Sequence, residues 1–102
     1  MSTQIGVKST NDAFVIALAG RFDFTTHRDF RKAGEDALES SNITIEINMA
    51  KVDYLDSAAL GMLLLLREKA NNLNRTVSLT HCHNFVQEVL NVANFGKLFT
   101  LR

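Results

Sequence analysis

Between Ile43 and Thr80 the hydrophobic period changes twice, from two residues to that of a helix and back, and this double switch restricts the fold of the 102-residue chain strongly. Ile43, Ile45 and Ile47 alternate with Thr44, Glu46 and Asn48, which predicts a strand with one face on a core. A short connection follows. Residues from about Ser57 to Asn72 then predict an apolar-rich helix, and Thr76 to Thr80 a further strand with Val77 and Leu79 turned inward. Strand, helix and strand at this spacing form a crossover unit, the connection that parallel neighbours in a sheet require.

The flanks extend the pattern. Ile5 and Val7 alternate with Gln4, Gly6 and Lys8, Thr10-Asn11-Asp12 has turn chemistry, and Phe14 to Leu18 reads as the second arm of a hairpin that Gly20 ends. Thr26 and Asp29 have the spacing of a helix N-terminal cap, predicting a helix from about Thr26 to Glu39 with Phe30, Ala33, Ala37 and Leu38 on one face. Asn84 and Gln87 resemble a second cap pair, for a helix bearing Val86, Val89, Leu90 and Ala93, and Leu98 to Leu101 predicts a last short strand. The expected architecture is α/β: one domain over residues 1–102, with a mixed, mostly parallel sheet of about five strands and helices packed against it.

Composition narrows the function. Eleven Lys and Arg balance eleven Asp and Glu, so no net positive field recruits nucleic acid or an anionic membrane. Arg21, His27, Arg28, Arg31 and Lys32 cluster locally, but Asp23, Asp29, Glu35 and Asp36 are mixed among them, as on a solvated helix face. The apolar run Met62 to Leu66 is too short to cross a bilayer. A lone Cys82 cannot form an internal disulfide, and with no basic-then-apolar leader this predicts a soluble cytoplasmic protein.

Ser57 is the hydroxyl that stands out, directly after Asp56 and at the head of the leucine-rich helix. Either side chain suits a helix cap. A phosphoryl group on Ser57 would meet the helix dipole and free N–H groups on one side and the Asp56 charge on the other, effects of similar size that leave the fold nearly intact. A partner that had to bury the same spot would feel the added charge far more. Leu60, Met62, Leu63, Leu64, Leu65 and Leu66 cover more than one helix stripe, so some are covered by neighbouring helices or form a docking patch beside Ser57. Gly61 permits close approach at the expense of helix propensity.

Catalysis is not indicated. Ser57 lacks a Gly-x-Ser-x-Gly elbow and has no His near it in sequence, although folding could bring His27 close. In His81-Cys82-His83, alternation sends the two imidazoles one way and the thiol the other, without a second ligand cluster, so a strand-end pair of histidines over a buried thiol is expected and no metal or cofactor.

Asp56-Ser57-Ala58-Ala59-Leu60-Gly61, after a strand and opening a helix, resembles the Asp-Ser-(Ser or Thr)-Gly-Leu-Gly signature of STAS domains of the bacterial anti-anti-sigma type. Gly20-Arg21-Phe22-Asp23-Phe24-Thr25-Thr26 is similar to that family's Gly-Glu-Leu-Asp-x-x-Thr segment, and the order of elements agrees along nearly the whole chain. The resemblance implies an anti-sigma factor antagonist, a binding module and not an enzyme. Its unphosphorylated form would capture an anti-sigma factor that is also a serine kinase and so free a sigma factor. Phosphorylation of Ser57 would end capture and a serine phosphatase would restore it. The implied partner surface comprises Asp23, Thr26, Asp56, Ser57, Ala58, Leu60, Gly61 and Leu64. A scaffold or ligand-binding STAS module without phosphorylation is the alternative. Ala58 and Ala59 replace the motif's second hydroxyl and first glycine, leaving Ser57 as its one acceptor, and Arg21 reverses a typically acidic charge, which bears on partner choice.

Overall fold

The computed structural model describes residues 4–101. Strands β1 (Gln4–Ser9) and β2 (Phe14–Phe22) form an antiparallel hairpin, with Thr10 N donating to Ala13 O at 2.9 Å across the turn. A 3-10 turn, Phe24–Thr26, leads into α1 (His27–Glu39), and then follow β3 (Thr44–Leu55), α2 (Ser57–Asn72), β4 (Thr76–Thr80), α3 (Asn84–Val92), a second 3-10 turn (Phe95–Lys97) and β5 (Thr100–Leu101). The strands lie in the sheet in chain order, β1 to β5, with the first pair antiparallel and the others parallel. The expected α/β architecture and mixed five-stranded sheet are therefore present, and α2 and β4 have the predicted bounds.

The period-two pattern sets the core. Ile16, Leu18, Phe22, Ile45, Ile47 and Leu79 are all at most 2 % exposed, and Phe30, Ala33, Leu63 and Leu66 bring the apolar stripes of α1 and α2 into the same cluster. Fully burying an aliphatic side chain of this size contributes about 1.5–3 kcal/mol. Helices α1 and α2 pack side by side at Gly34, where a Cβ would lie 3.2 Å from Leu66 Cδ1.

Several local expectations are corrected. Gly20 does not end β2. It lies inside the strand with φ 88°, at the start of one of two register shifts by which β3 gains residues against β2. Glycine suits the position because it adopts such a φ without strain. The shifts also abolish the connection expected after Ile47: β3 continues to Leu55, with Met49, Val52 and Leu55 buried. Ile43 precedes this strand and is 68 % exposed, since the core ends at Ile45. Leu98 and Phe99 lie outside β5 because their amides are spent on Phe95 O in the 3-10 turn, at 3.0 and 2.8 Å.

Neither expected cap pair forms. Thr26 already has helical φ and ψ (−85°, −6°) because the 3-10 turn runs straight into α1, and its hydroxyl turns back to accept from Asp23 N (3.4 Å). Asn84 is the first residue of α3 with φ 47°, and Gln87 reaches forward to Asn91 (3.0 Å) instead of back.

Replacing Gly20 with Ala forces a Cβ into the left-handed region, so Gly20→Ala is expected to lower unfolding free energy by roughly 1–2 kcal/mol in a denaturant titration. An unchanged midpoint would refute the left-handed conformation at Gly20.

Candidate functional site

The site grows from one feature of the β2–β3 pairing. Past the bulges Arg21 pairs with Tyr54 and Phe22 with Leu55, so the next residue of each strand is an aspartate at the same end of the sheet. Asp56 N donates to Phe22 O at 3.4 Å, tying the two strand exits together. Each aspartate then opens a helical segment. Asp23 Oδ1 accepts from Thr25 N (3.0 Å) and from the Thr25 hydroxyl (2.5 Å), and the Asp23–Thr26 capping box closes the 3-10 turn. Asp56 Oδ1 accepts from Ala59 N (2.9 Å), and Asp56 O takes the first intrahelical bond of α2 from Leu60 N (3.1 Å).

Ser57 is the first residue of α2 and is exposed. Its amide and that of Ala58 stand where no intrahelical carbonyl precedes them, so they point toward any anion placed on the Ser57 side chain. Asp56 takes the cap, which leaves the Ser57 hydroxyl without a fold-maintaining role. Among the described residues that hydroxyl has no hydrogen-bonding base beside it.

The surface of α2 continues from there. Ser57, Gly61, Leu64 and Glu68 are exposed at helical spacing, with Ala58 and Leu65 exposed on the adjoining line. Leu64 and Leu65 are 37 % and 48 % exposed, Leu60 is half-buried, and Met62, Leu63 and Leu66 belong to the core. The leucine run thus divides between the core and the exposed face of α2. A Cβ on Gly61 would meet nothing within 4 Å, so intramolecular packing does not require a glycine there.

Of the sequence-predicted site residues, Asp23, Asp56 and Ser57 come together at the strand exits, and Ala58, Leu60, Gly61 and Leu64 follow along α2. Thr26 is 3 % exposed and acts inward, accepting from Asp23 N and so fixing the turn that presents Asp23.

Sequence reasoning did not anticipate a ladder beside these residues. The Arg21 guanidinium lies 3.9 Å from the Tyr54 ring centroid, and Tyr54 stacks on Phe85 at 5.9 Å and 7°. Arg21 also faces Asp23 (3.8 Å), while Phe24 is 68 % exposed. The signal for Arg21 over Tyr54 is cross-strand register, which the bulges hide.

The Thr25 hydroxyl holds the Asp23 carboxyl below its ordinary value; desolvation opposes it, and the Thr25 amide and Arg21 add smaller help. Cys82 is half-buried, which pushes its thiol up. The histidines flanking it do not share one direction. His81 is exposed with φ 57°, whereas His83 Nε2–H donates to Ala50 O at 2.9 Å. The residues leave β4 at Thr80, so strand alternation no longer governs them. Among the described residues no group of three or more His, Cys, Asp or Glu clusters as a metal site would require. Among the described residues no helix is long and apolar enough to cross a membrane.

Two carboxylate-capped helical starts lie at one end of a mixed five-stranded sheet, with an exposed serine at the second, in a single α/β domain. The family model described as "Mlab, STAS domain" matches residues 5–101, and the chain belongs to the STAS-domain family. It is 44% identical over 89 residues to the STAS-domain containing protein PA14_20770 of Pseudomonas aeruginosa (strain UCBPP-PA14), covering 84% of each chain. An anti-sigma factor antagonist from Mycobacterium paratuberculosis superposes with TM-score 0.86 at 19% identity, over 98% of this chain and 85% of the other. The anti-sigma factor antagonist SpoIIAA superposes in its unphosphorylated form with TM-score 0.81 at 18% identity, over 97% and 88%. Its Bacillus phosphorylated form gives 0.75 at 18%, over 97% and 91%.

Removing the cap in Asp56→Ala is expected to destabilise the domain by about 1 kcal/mol, whereas Ser57→Ala leaves the unfolding midpoint unchanged. Gly61→Ala is expected to stabilise it by about 1 kcal/mol, read as a melting temperature roughly 4–8 °C higher. Because the folded-state value of Asp23 is depressed, its contribution to the turn is present above the ordinary carboxylate range and lost as pH falls through the lowered value. The Thr25 amide shift should follow that same acidic titration.

Proposed function

We propose that this chain is an anti-sigma factor antagonist whose partner binding is switched by phosphorylation of Ser57. Unphosphorylated protein binds an anti-sigma factor with serine kinase activity and so releases a sigma factor. The phosphorylated form lets go, and a serine phosphatase resets it. The observation that carries the reading is the division of labour at the head of α2: Asp56 holds the helix start through Ala59 N at 2.9 Å, leaving exposed Ser57 free for modification. Solved anti-sigma factor antagonists with the same fold, one of them in a phosphorylated form, support it.

The physics of the switch follows from that placement. A phosphoryl group adds roughly 1.5–2 negative charges beside Asp56, partly offset within the domain by the helix dipole and the free amides of α2. In water the domain tolerates the charge. A partner lying over Ser57, Gly61 and Leu64 removes that water and leaves the charge uncompensated. Asp23 forms the second edge of this surface, Thr26 supports it from inside, and Arg21 sets partner preference by charge. The chain's role is that of substrate and binding module, with the kinase supplying the chemistry.

The test uses the partner recovered by the unphosphorylated protein from its native cells. Ser57→Ala is expected to bind that partner but accept no phosphate, and Ser57→Asp to fold normally while losing about a hundredfold or more in affinity. Labelling of Ser57→Ala at the wild-type level would overturn the acceptor assignment. Gly61→Ala, more stable than wild type, is expected to bind more weakly. Leu64→Lys is expected to lose binding at an unchanged melting temperature, and unfolding instead would remove Leu64 from the surface.

A further inference from the structure

A cleft opens beside the far end of α2, where β5 pairs only with Ser78 and Leu79 and leaves Thr76, at the head of β4, exposed. It offers about 270 Å³ to water-sized molecules and is lined by Arg67 and Asn71 from α2, Thr76 from β4, Lys97 from the second 3-10 turn and Thr100 from β5. Buried Val77 and Phe99 also line it. Each of its polar side chains can donate a hydrogen bond, and among the described residues no carboxylate lines it. Arg67 is held in place: its Nε–H donates to Leu98 O at 2.6 Å, which fixes the guanidinium plane. Among the described residues neither its Nη atoms nor the Lys97 ammonium has a hydrogen-bond or salt-bridge partner. The carbonyl end of α2 carries about half a negative charge, which offsets only part of two full positive ones.

From this donor set we infer that the cleft binds the phosphoryl group of a small phosphomonoester, with the Arg67 fork on two of its oxygens and Lys97 against the third. The two cations come from different elements, and the Asn71 amide and the Thr76 and Thr100 hydroxyls add neutral donors from further directions. A tetrahedral dianion meets donors so distributed better than a planar carboxylate does. The cleft lies just under the range of about 300–1,000 Å³ typical of drug-sized ligands, which suits a short polar ester. The chain's balanced charge supplies no wider field to hold a polyanion or an anionic bilayer. From Ser57 to Asn71 α2 rises about 21 Å, so the cleft is separate from the proposed switch and does not rest on it.

The test is titration of the isotopically labelled full chain with glycerol 3-phosphate at constant ionic strength, followed through amide shifts. Saturable shifts at Asn71, Lys97 and Thr100 are expected, with affinity falling as pH drops below about 6 and the ester loses its second charge. Lys97→Gln, at an exposed position, is expected to weaken binding about tenfold while the rest of the amide spectrum is retained. Arg67→Lys is expected to weaken it similarly, because the charge remains but the fork does not. Equal shifts with glycerol or with acetate would overturn the inference. So would an affinity unchanged in Lys97→Gln, shifts centred on Arg28, Arg31 and Lys32, or binding seen only with phosphatidate vesicles.

Discussion

Everything at the functional end of this domain depends on how β2 pairs with β3. The two strands run parallel, and β3 carries additional residues across two bulges before Phe22 meets Leu55. Without them the strands would leave the sheet out of step. With them, Asp23 and Asp56 follow paired residues, and the Asp56 N to Phe22 O bond at 3.4 Å holds the exits together. The carboxylates are then committed to backbone amides, Thr25 N and Ala59 N. Each helical start is fixed by its own cap and both are fixed by one strand register. Rigid elements hold a surface geometry better than loops do.

Helix α2 reconciles two demands that an ordinary amphipathic helix separates. Ala59, Met62, Leu63, Leu66 and Ala70 face the core, yet Leu64 and Leu65 remain partly in water and Gly61 occupies an exposed helical position with open space around it. Stability alone would favour a polar residue at 64 and an alanine at 61. The helix therefore retains features that intramolecular packing does not explain, and they begin one turn after Ser57. That coincidence gives the proposed docking stripe its physical content.

Much of this was legible in the chain itself. The bounds of α2 and β4 follow from strong periodicity, and the Asp56-Ser57 opening of α2 follows from cap chemistry. Legibility failed where a residue's role depended on a distant strand. Gly20 looks like a terminator locally but stays inside β2, paired with Val52 where a register shift against β3 begins. Thr26 has a cap's spacing to Asp29, but the preceding 3-10 turn places it already in helical conformation, and Asp23 takes the capping role. Asn84 and Gln87 failed similarly, because the chain enters α3 through a left-handed residue. The stack of Arg21 on Tyr54 and of Tyr54 on Phe85 joins three segments that no sequence window spans.

The strand order has a consequence for how the chain reaches this state. Because β1 to β5 lie in the sheet as they lie in the sequence, no strand must be inserted between two that have already paired. A growing chain can add each crossover to the edge just laid down, and domains are built from the N-terminal side during synthesis. At every stage, however, the newest strand is an open edge able to pair with another molecule. The longest such edge belongs to the twelve-residue β3, whose first five residues, Thr44 to Asn48, stay unpaired on one side until α2 and β4 follow. Its bulges and Glu46 near its start are features that discourage pairing with a stranger, so the irregularity that aligns the two aspartates also guards the half-made sheet.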